Sequence, residues 1–204
     1  SSKILMDIIN DILDLSKIEA GKQTINISNI KIDDVLKKIE MVIKPLANKK
    51  NITFNIYKKN IIHNDIETDR LKLVQVFTNV ISNSVKYTND GGLVTFLIKE
   101  LPSESTRVGK YEFIIEDNGI GMSKDFLNDI FLPFAREKDK VKDIQGTGLG
   151  MPIAKNIIDL LGGTIDVESE ENKGTKFTIR FDFGIVNDSV KVLLKTTLVK
   201  WLEK

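Results

Sequence analysis

Residues 69–88, DRLKLVQVFTNVISNSVKYT, read as one long helix with two faces that do different work. Val74, Phe77, Val80, Ile81 and Val85 recur at helical spacing, so their stripe is expected to face a core. Asn79, Asn83 and Lys86 are separated by four and then three residues and share another face. Asn is a poor helix former, and a carboxamide turned inward needs partners. Two carboxamides and a cation in line are either a solvated stripe or the wall of a ligand site. The helix alone leaves both readings open.

The flanking segments limit what this helix can pack against. Leu5, Ile8, Ile12 and Leu15, widened by Ile4, Ile9, Leu13 and Ile18, predict an N-terminal helix with a coiled-coil-like or bundle seam, stopped near Gly21. QTINISNI reads as a short strand carrying Ile25 and Ile27 on one face. A helix follows, capped by Asp33 or Asp34 and kinked or ended at Pro45. NITFNIY, LVTFLIK and YEFIIE read as strands, the last two as an antiparallel hairpin with a loop over 101–110. SKDFLNDIF is a short helix, residues 132–148 a mobile loop, residues 149–161 a helix closed by Gly162 and Gly163, and TIDVES with TKFTIRFDF a final hairpin. Residues 186–204 repeat an amphipathic pattern with Val190, Leu194, Leu198 and Trp201 on one stripe. Strands that pair as hairpins, without regular alternation with helices, predict an α+β two-layer sandwich: one mixed sheet covered on one face by helices.

Two glycine clusters carry the chemistry. Asp117-Asn118-Gly119-Ile120-Gly121-Met122 follows a strand directly. Its glycines permit a tight turn and close approach to a flat ligand, and Asp117 can accept a hydrogen bond from an exocyclic amine. A plain turn explains the same residues. Gln145-Gly146-Thr147-Gly148-Leu149-Gly150 ends a loop and opens a helix, where backbone N–H groups and the helix dipole suit a polyphosphate. It is neither the G-x-G-x-x-G of a dinucleotide fold nor a P-loop.

Composition removes other classes. With 30 Lys plus Arg against 29 Asp plus Glu, the net charge of +1 gives no case for nucleic acid. Without Cys there is no disulfide frame or Cys-based zinc site, and a single His excludes His-rich metal sites. No apolar run approaches the ~20 residues of a membrane span. The opening SSKILMDIIN reads as a piece cut from a longer protein, so a soluble, cytoplasmic fragment is expected while anchoring of the parent stays open.

The central Asn helix, D-x-G-x-G, F-x-P-F, G-x-G-x-G and a G-T strand occur in that order as NVISNSVKYT, DNGIGM, FLPFAR, GTGLGM and GGTIDVESEENKGTKFTIRF. In this the chain resembles the Bergerat-type ATP-binding catalytic domain of sensor histidine protein kinases, from about residue 1 to residue 183. LMDIINDILDLSKIEAGK is similar to the second helix of that family's dimerisation and phosphoacceptor hairpin. The resemblance implies three parts: residues 1–21 from that hairpin, 22–184 the catalytic domain, and 185–204 a helix or linker.

It also implies roles. Asn83 would give its side-chain oxygen to Mg²⁺ on the ATP phosphates, with Asn79 in support and Lys86 neutralising phosphate charge. Tyr87 would lie against the nucleotide. Asp117 would read the adenine amino group, Gly119 and Gly121 would let the ring approach, and Thr175 would sit near the adenine. Gly146, Thr147, Gly148, Leu149 and Gly150 would cradle phosphates at the mouth of a lid flanked by Phe131 and Phe134. Arg136 and Lys138 would reach the γ-phosphate. Related ATPases with this fold place a water-activating Glu where Asn79 stands, so Asn79 favours phosphoryl transfer over hydrolysis.

The family's phosphoaccepting His lies on a hairpin helix absent here. His63 sits in KKNIIHND and reads as a solvated loop residue. The implied partners are ATP, that His helix of the same parent, a response-regulator receiver domain and a second copy through the N-terminal helix. A regulatory module that binds nucleotide without transferring phosphate, or an ATPase of this fold, are the alternatives.

Overall fold

A computed structural model describes residues 6, 9, 11–13, 16–17, 20–137 and 147–186. Among these, β1 (Ser28–Lys31) leads to α1 (Ile32–Lys49), β2 (Thr53–Lys59), β3 (Asp65–Thr68) and the central helix α2 (Arg70–Tyr87). The hairpin β4 (Leu93–Leu101) and β5 (Val108–Asp117) follows, then α3 (Lys124–Asp129), α4 (Gly150–Leu160), β6 (Thr164–Glu170) and β7 (Gly174–Ile185). The strands form a seven-stranded sheet in the order β1-β3-β7-β5-β4-β2, with β6 paired to β7. β2 runs parallel to β4 and the other pairs are antiparallel, so the sheet is mixed. The expected two-layer α+β sandwich is what forms.

One sheet face is apolar and lies under the helices. Alternation along β4 and β5 turns Val94, Phe96, Ile98, Tyr111, Phe113 and Ile115 inward. Phe77 of α2 meets them with ring centroids 5.0 Å from Phe96 and 4.6 Å from Phe113. A fully buried Phe of this kind contributes about 3–5 kcal/mol when judged by truncation to Ala. The opposite sheet face carries ion pairs across strands: Lys99 with Glu112 at 3.3 Å, and Arg180 with Glu112 at 3.0 Å and Asp166 at 2.5 Å.

The central helix begins where expected. Asp69 caps it, its Oδ1 accepting from the amides of Leu71 at 3.0 Å and Lys72 at 3.1 Å. Its buried face comprises Leu73, Val76, Phe77, Val80, Ile81, Ser84 and Val85, while Val74 is only half-buried at the edge of the stripe.

Several local expectations change. Residues 23–27 do not pair as a strand; the Asn26 amide is taken by Asp69 Oδ2 at 2.9 Å, and pairing starts at Ser28. Neither Asp33 nor Asp34 caps α1. Asn64 does so from outside, its backbone carbonyl accepting from the Ile32 amide at 2.9 Å and its Oδ1 from the Asp33 amide at 3.2 Å. Pro45 does not end α1, which runs on to Lys49 with Pro45 on the exposed side, where water can serve the carbonyl left without a donor. His63 is more than a solvated loop residue: its Nδ1 lies 2.5 Å from Oε1 of the buried Glu100.

At the N-terminus Met6, Ile9, Asp11, Ile12, Leu13, Ser16 and Lys17 are helical, with Met6, Ile9, Ile12 and Leu13 exposed. The remaining seam positions, residues 138–146 with Lys138 and Gly146, and the expected helix at 187–204 lie outside the described residues.

Candidate functional site

A cleft between α2, the β5–α3 loop and the start of α4 encloses about 1200 Å³, counting the space open to solvent. Helical spacing puts Asn79, Ser82, Asn83 and Lys86 on its wall, and Ser84 and Tyr87 line it too. Asp117, Gly121, Arg136, Thr147, Gly148, Gly150 and Thr175 reach the same cleft from four other segments. Thirteen of the positions expected to touch nucleotide or metal fall among the described residues, and of these Gly119 and Leu149 do not line the space, nor do the lid-flanking Phe131 and Phe134. Leu149 is fully buried in the core instead.

Asp117 sits at the last residue of β5 and is 7% exposed. Its Oδ1 accepts from the Gly119 amide at 3.0 Å and the Thr175 amide at 3.2 Å. Burial pushes this carboxyl above the usual carboxylate range. The nearby Ser84 hydroxyl and the two amides pull it back. The Ser84 hydroxyl makes no hydrogen bond of normal geometry, so this buried oxygen at the cleft wall has only a loose approach to Asp117. Such an atom is costly unless a ligand or an ordered water meets it. Beside it, Ser169 Oγ lies 2.9 Å from Thr175 Oγ1 and accepts from the Met122 amide at 2.9 Å.

The glycines of the Asp117 loop act differently from expectation. A Cβ at Gly119 would lie 2.4 Å from the Tyr87 carbonyl oxygen, and one at Gly121 would lie 2.0 Å from that of Glu170. The room they save is filled by protein backbone, which lets the loop pack between the end of α2 and the β6–β7 turn. Any closeness to a flat ligand follows from this packing.

The opposite wall carries a cation and the free amides of a helix start. The Lys86 ammonium stands 4.7 Å from the centroid of the Tyr87 ring. Asn79 Nδ2 donates to the Gly150 carbonyl at 3.2 Å and so ties α2 to the start of α4. Among the described residues no side chain caps α4, and since Pro152 has no N–H, the Gly150 and Met151 amides are the donors its first turn leaves free. Thr147 Oγ1 accepts from the Leu149 amide at 3.2 Å and donates to Asp11 Oδ2 at 3.0 Å, bringing the N-terminal helix to the cleft. Phe134 has a positive φ of 63°, and its amide donates to the Gly148 carbonyl at 3.1 Å. Phe131 is half-buried against the core, whereas Phe134 is 61% exposed.

Sequence reading missed Ser84 and an apolar group formed by Ile120, Met122, Phe126, Ile130, Met151 and Phe177. Ser84 lies seven residues from Phe77 and four from Val80, so helical spacing marked it as an inward hydroxyl. The apolar residues carry no such mark, because each reads as core. Together the walls offer a buried carboxylate and hydroxyl, an apolar slot, and a zone of cation, carboxamide and amide donors. That suits a flat ring bearing an amine joined to a polyanion. The site observations that fit such a group are the loosely held Ser84 oxygen and the Asn83 side chain, which makes no hydrogen bond within the described protein.

Comparison with known proteins gives the same direction. The family described as histidine kinase-, DNA gyrase B- and HSP90-like ATPase matches residues 68–185. The autoinducer 2 sensor kinase/phosphatase LuxQ of Vibrio vulnificus is 34% identical over 179 residues, covering 87% of this chain and 21% of LuxQ. The hybrid signal transduction histidine kinase B of Dictyostelium discoideum is 34% identical over 207 residues, covering 96% of this chain and 10% of its own length. The chain thus spans about a fifth of LuxQ and a tenth of the hybrid kinase. Full-length ShkA in complex with AMPPNP superposes with a TM-score of 0.73 at 23% identity, over 89% of this chain and 36% of ShkA, a likeness of fold.

Proposed function

Because the chain belongs to the histidine kinase-, DNA gyrase B- and HSP90-like ATPase family, we propose that it is the catalytic, ATP-binding part of a sensor histidine kinase. The observation that carries this reading is the convergence of Asn83 and Lys86 from α2 and Asp117 from the end of β5 on one cleft, Lys86 and Asp117 being 31 residues apart in sequence. The domain spans residues 22–184, preceded by the second helix of a dimerisation and phosphoacceptor hairpin and followed by an amphipathic helix or linker over 185–204. It works in the cytoplasm, where ATP is supplied; no described helix is long and apolar enough to cross a membrane.

ATP supplies the transferable phosphoryl group, and Mg²⁺, when bound, screens the charge on its phosphates. Asp117 accepts a hydrogen bond from the adenine amine, with Thr175 and Ser84 beside it. Tyr87 and the apolar slot cover the ring. Lys86 and the amides opening α4 take phosphate charge, and Asn83 presents a neutral oxygen of the kind Mg²⁺ takes. Arg136 stands exposed at the same opening. Asn79 cannot take a proton from water, so the wall holds α4 in place without activating a nucleophile. The phosphoryl group then passes to a His on a separate hairpin helix of the same parent and onward to a receiver-domain Asp. Two copies meet through the N-terminal helix.

Mixing the chain with Mg-ATP and a separately supplied hairpin carrying that His tests the reading. Acid-labile phosphate on the hairpin is the expected result. Steady ATP turnover without transfer would overturn it in favour of an ATPase. Asn83→Ala should weaken ATP affinity about tenfold or more with Mg²⁺ and far less without it. Equal loss in both titrations would remove Asn83 from the metal.

A further inference from the structure

We infer that Lys50 is a positioning residue for the nucleotide-facing end of α2, an inference that rests on the cleft being the ATP site. Lys50 lies outside the cleft, at the C-terminal cap of α1. Its ammonium donates to the backbone carbonyls of Val85 at 3.1 Å, Lys86 at 2.9 Å and Thr88. An ammonium has three N–H donors, and all three go to the last turn of one helix and the residue after it. The Tyr87 carbonyl is taken by the Ile120 amide at 3.1 Å. The carbonyls of residues 85 to 88 are therefore all held from outside the helix. A helix C-terminus normally leaves such groups to water, and a cation there also opposes the negative end of the dipole.

The anchor is itself fixed. Asn51 takes a left-handed φ of 52°, its amide donates to the Asn48 carbonyl at 3.0 Å, and the Ile52 amide donates to the Ala47 carbonyl at 2.9 Å. These paired bonds form a Schellman motif that ends α1 and sets where the Lys50 side chain starts. The Lys50 carbonyl accepts from the Gly91 amide at 3.0 Å, which joins the turn after α2 to the same corner. Lys86 and Tyr87, whose side chains line the cleft, thus owe their backbone position to a residue remote from it. The Ile120 bond extends the lock to the loop that carries Asp117.

Lys50→Met in the 204-residue chain removes the three donors and keeps the apolar stem. Calorimetric titration with ATP is expected to show affinity weaker by about tenfold with the number of sites unchanged. Amide exchange is expected to quicken at Ile120 and Thr88 while Phe113 and Ile115 keep their protection. Lys50→Arg, which restores a cation with several donors, should recover most of both effects. Unchanged affinity together with unchanged Ile120 exchange would overturn the inference. So would a uniform loss of protection, or fewer sites at unchanged affinity, since both mark a merely structural residue. Should the Met variant fail to fold, Lys50→Gln is read by the same two measurements. Failure of the wild-type chain to bind ATP would sink the nucleotide reading, and the exchange data would still judge the Lys50 lock on their own.

Discussion

Around Asp117 the cleft is bounded by backbone lying on backbone. Cβ atoms at Gly119, Gly121 and Gly174 would come within 2.4, 2.0 and 1.9 Å of the carbonyl oxygens of Tyr87, Glu170 and Asp117. Helix end, loop and hairpin meet there backbone to backbone, and the Asp117 and Ser169 side chains bond across the joint. Around Thr147 the packing is looser: a Cβ at Gly148 would come within 2.9 Å of the Phe134 Cα, against 2.4 Å or less at the floor. Among the described residues one backbone bond, from the Phe134 amide to the Gly148 carbonyl, links the two chain segments, and Arg136 and most of Phe134 face solvent. The first region can recognise a ligand only in the shape it already has, so little ordering remains to be done on binding. The second shows fewer such backbone contacts among the described residues, so it has less to lose on changing shape. The same cleft therefore joins a fixed floor for a ring to a margin that rearranges at low cost.

The largest expected effect is at the floor. Gly121→Ala forces a Cβ into the Glu170 carbonyl at a residue whose φ is +61°. It should lower stability by about 3 kcal/mol or more, read as a fall in thermal midpoint. A midpoint near wild type would show that the floor yields and would erase the contrast.

Asp117→Asn comes next and sharpens it. Asn keeps the acceptor for the Gly119 and Thr175 amides and removes the buried charge. The folded-state pKa of Asp117 is raised by burial, so the native state binds this proton more tightly than the unfolded chain does. Its contribution to stability is full at low pH and is lost as pH rises from the ordinary carboxyl range through the folded pKa. The variant should therefore match wild type in acid and exceed it in midpoint as pH climbs through that window. ATP affinity should meanwhile fall on the order of 10- to 100-fold, the worth of a charge-assisted hydrogen bond. Denaturation across pH, paired with titration at neutral pH, checks both halves.

The smallest effect is expected at the margin. Thr147→Ala loses the bonds to Asp11 and to the Leu149 amide, and should cost about 1 kcal/mol or less. A loss as large as that of Gly121→Ala would mean that the margin is as fixed as the floor.

Periodicity and turn chemistry made much of this molecule legible before any coordinates. The two faces of α2, both antiparallel hairpins and the glycine loops were all readable as local patterns. Asn79, Asn83 and Lys86 could be grouped because one helix fixes their spacing. β3 was not readable: Asp65–Thr68 is too short and polar to be a strand by pattern, and exists because β1 and β7 flank it. Ser84 was readable as inward, but not as loosely held. The wall formed by Ile120, Phe126, Met151 and Phe177 was not, because an apolar residue at a cleft and one in a core have the same pattern.

The sequence by itself determined the element types, the helix-on-sheet class and the residue kinds available for chemistry, because each follows from contacts within a few residues along the chain. Tertiary structure alone decided which distant groups complete a local one. Asn64 caps α1 in place of Asp33, Lys50 holds the carbonyls of α2, and the glycines beside Asp117 make room for backbone rather than for ligand. The physical reason is the same in each case. A backbone donor or acceptor must be satisfied, but nothing in its own segment says by whom.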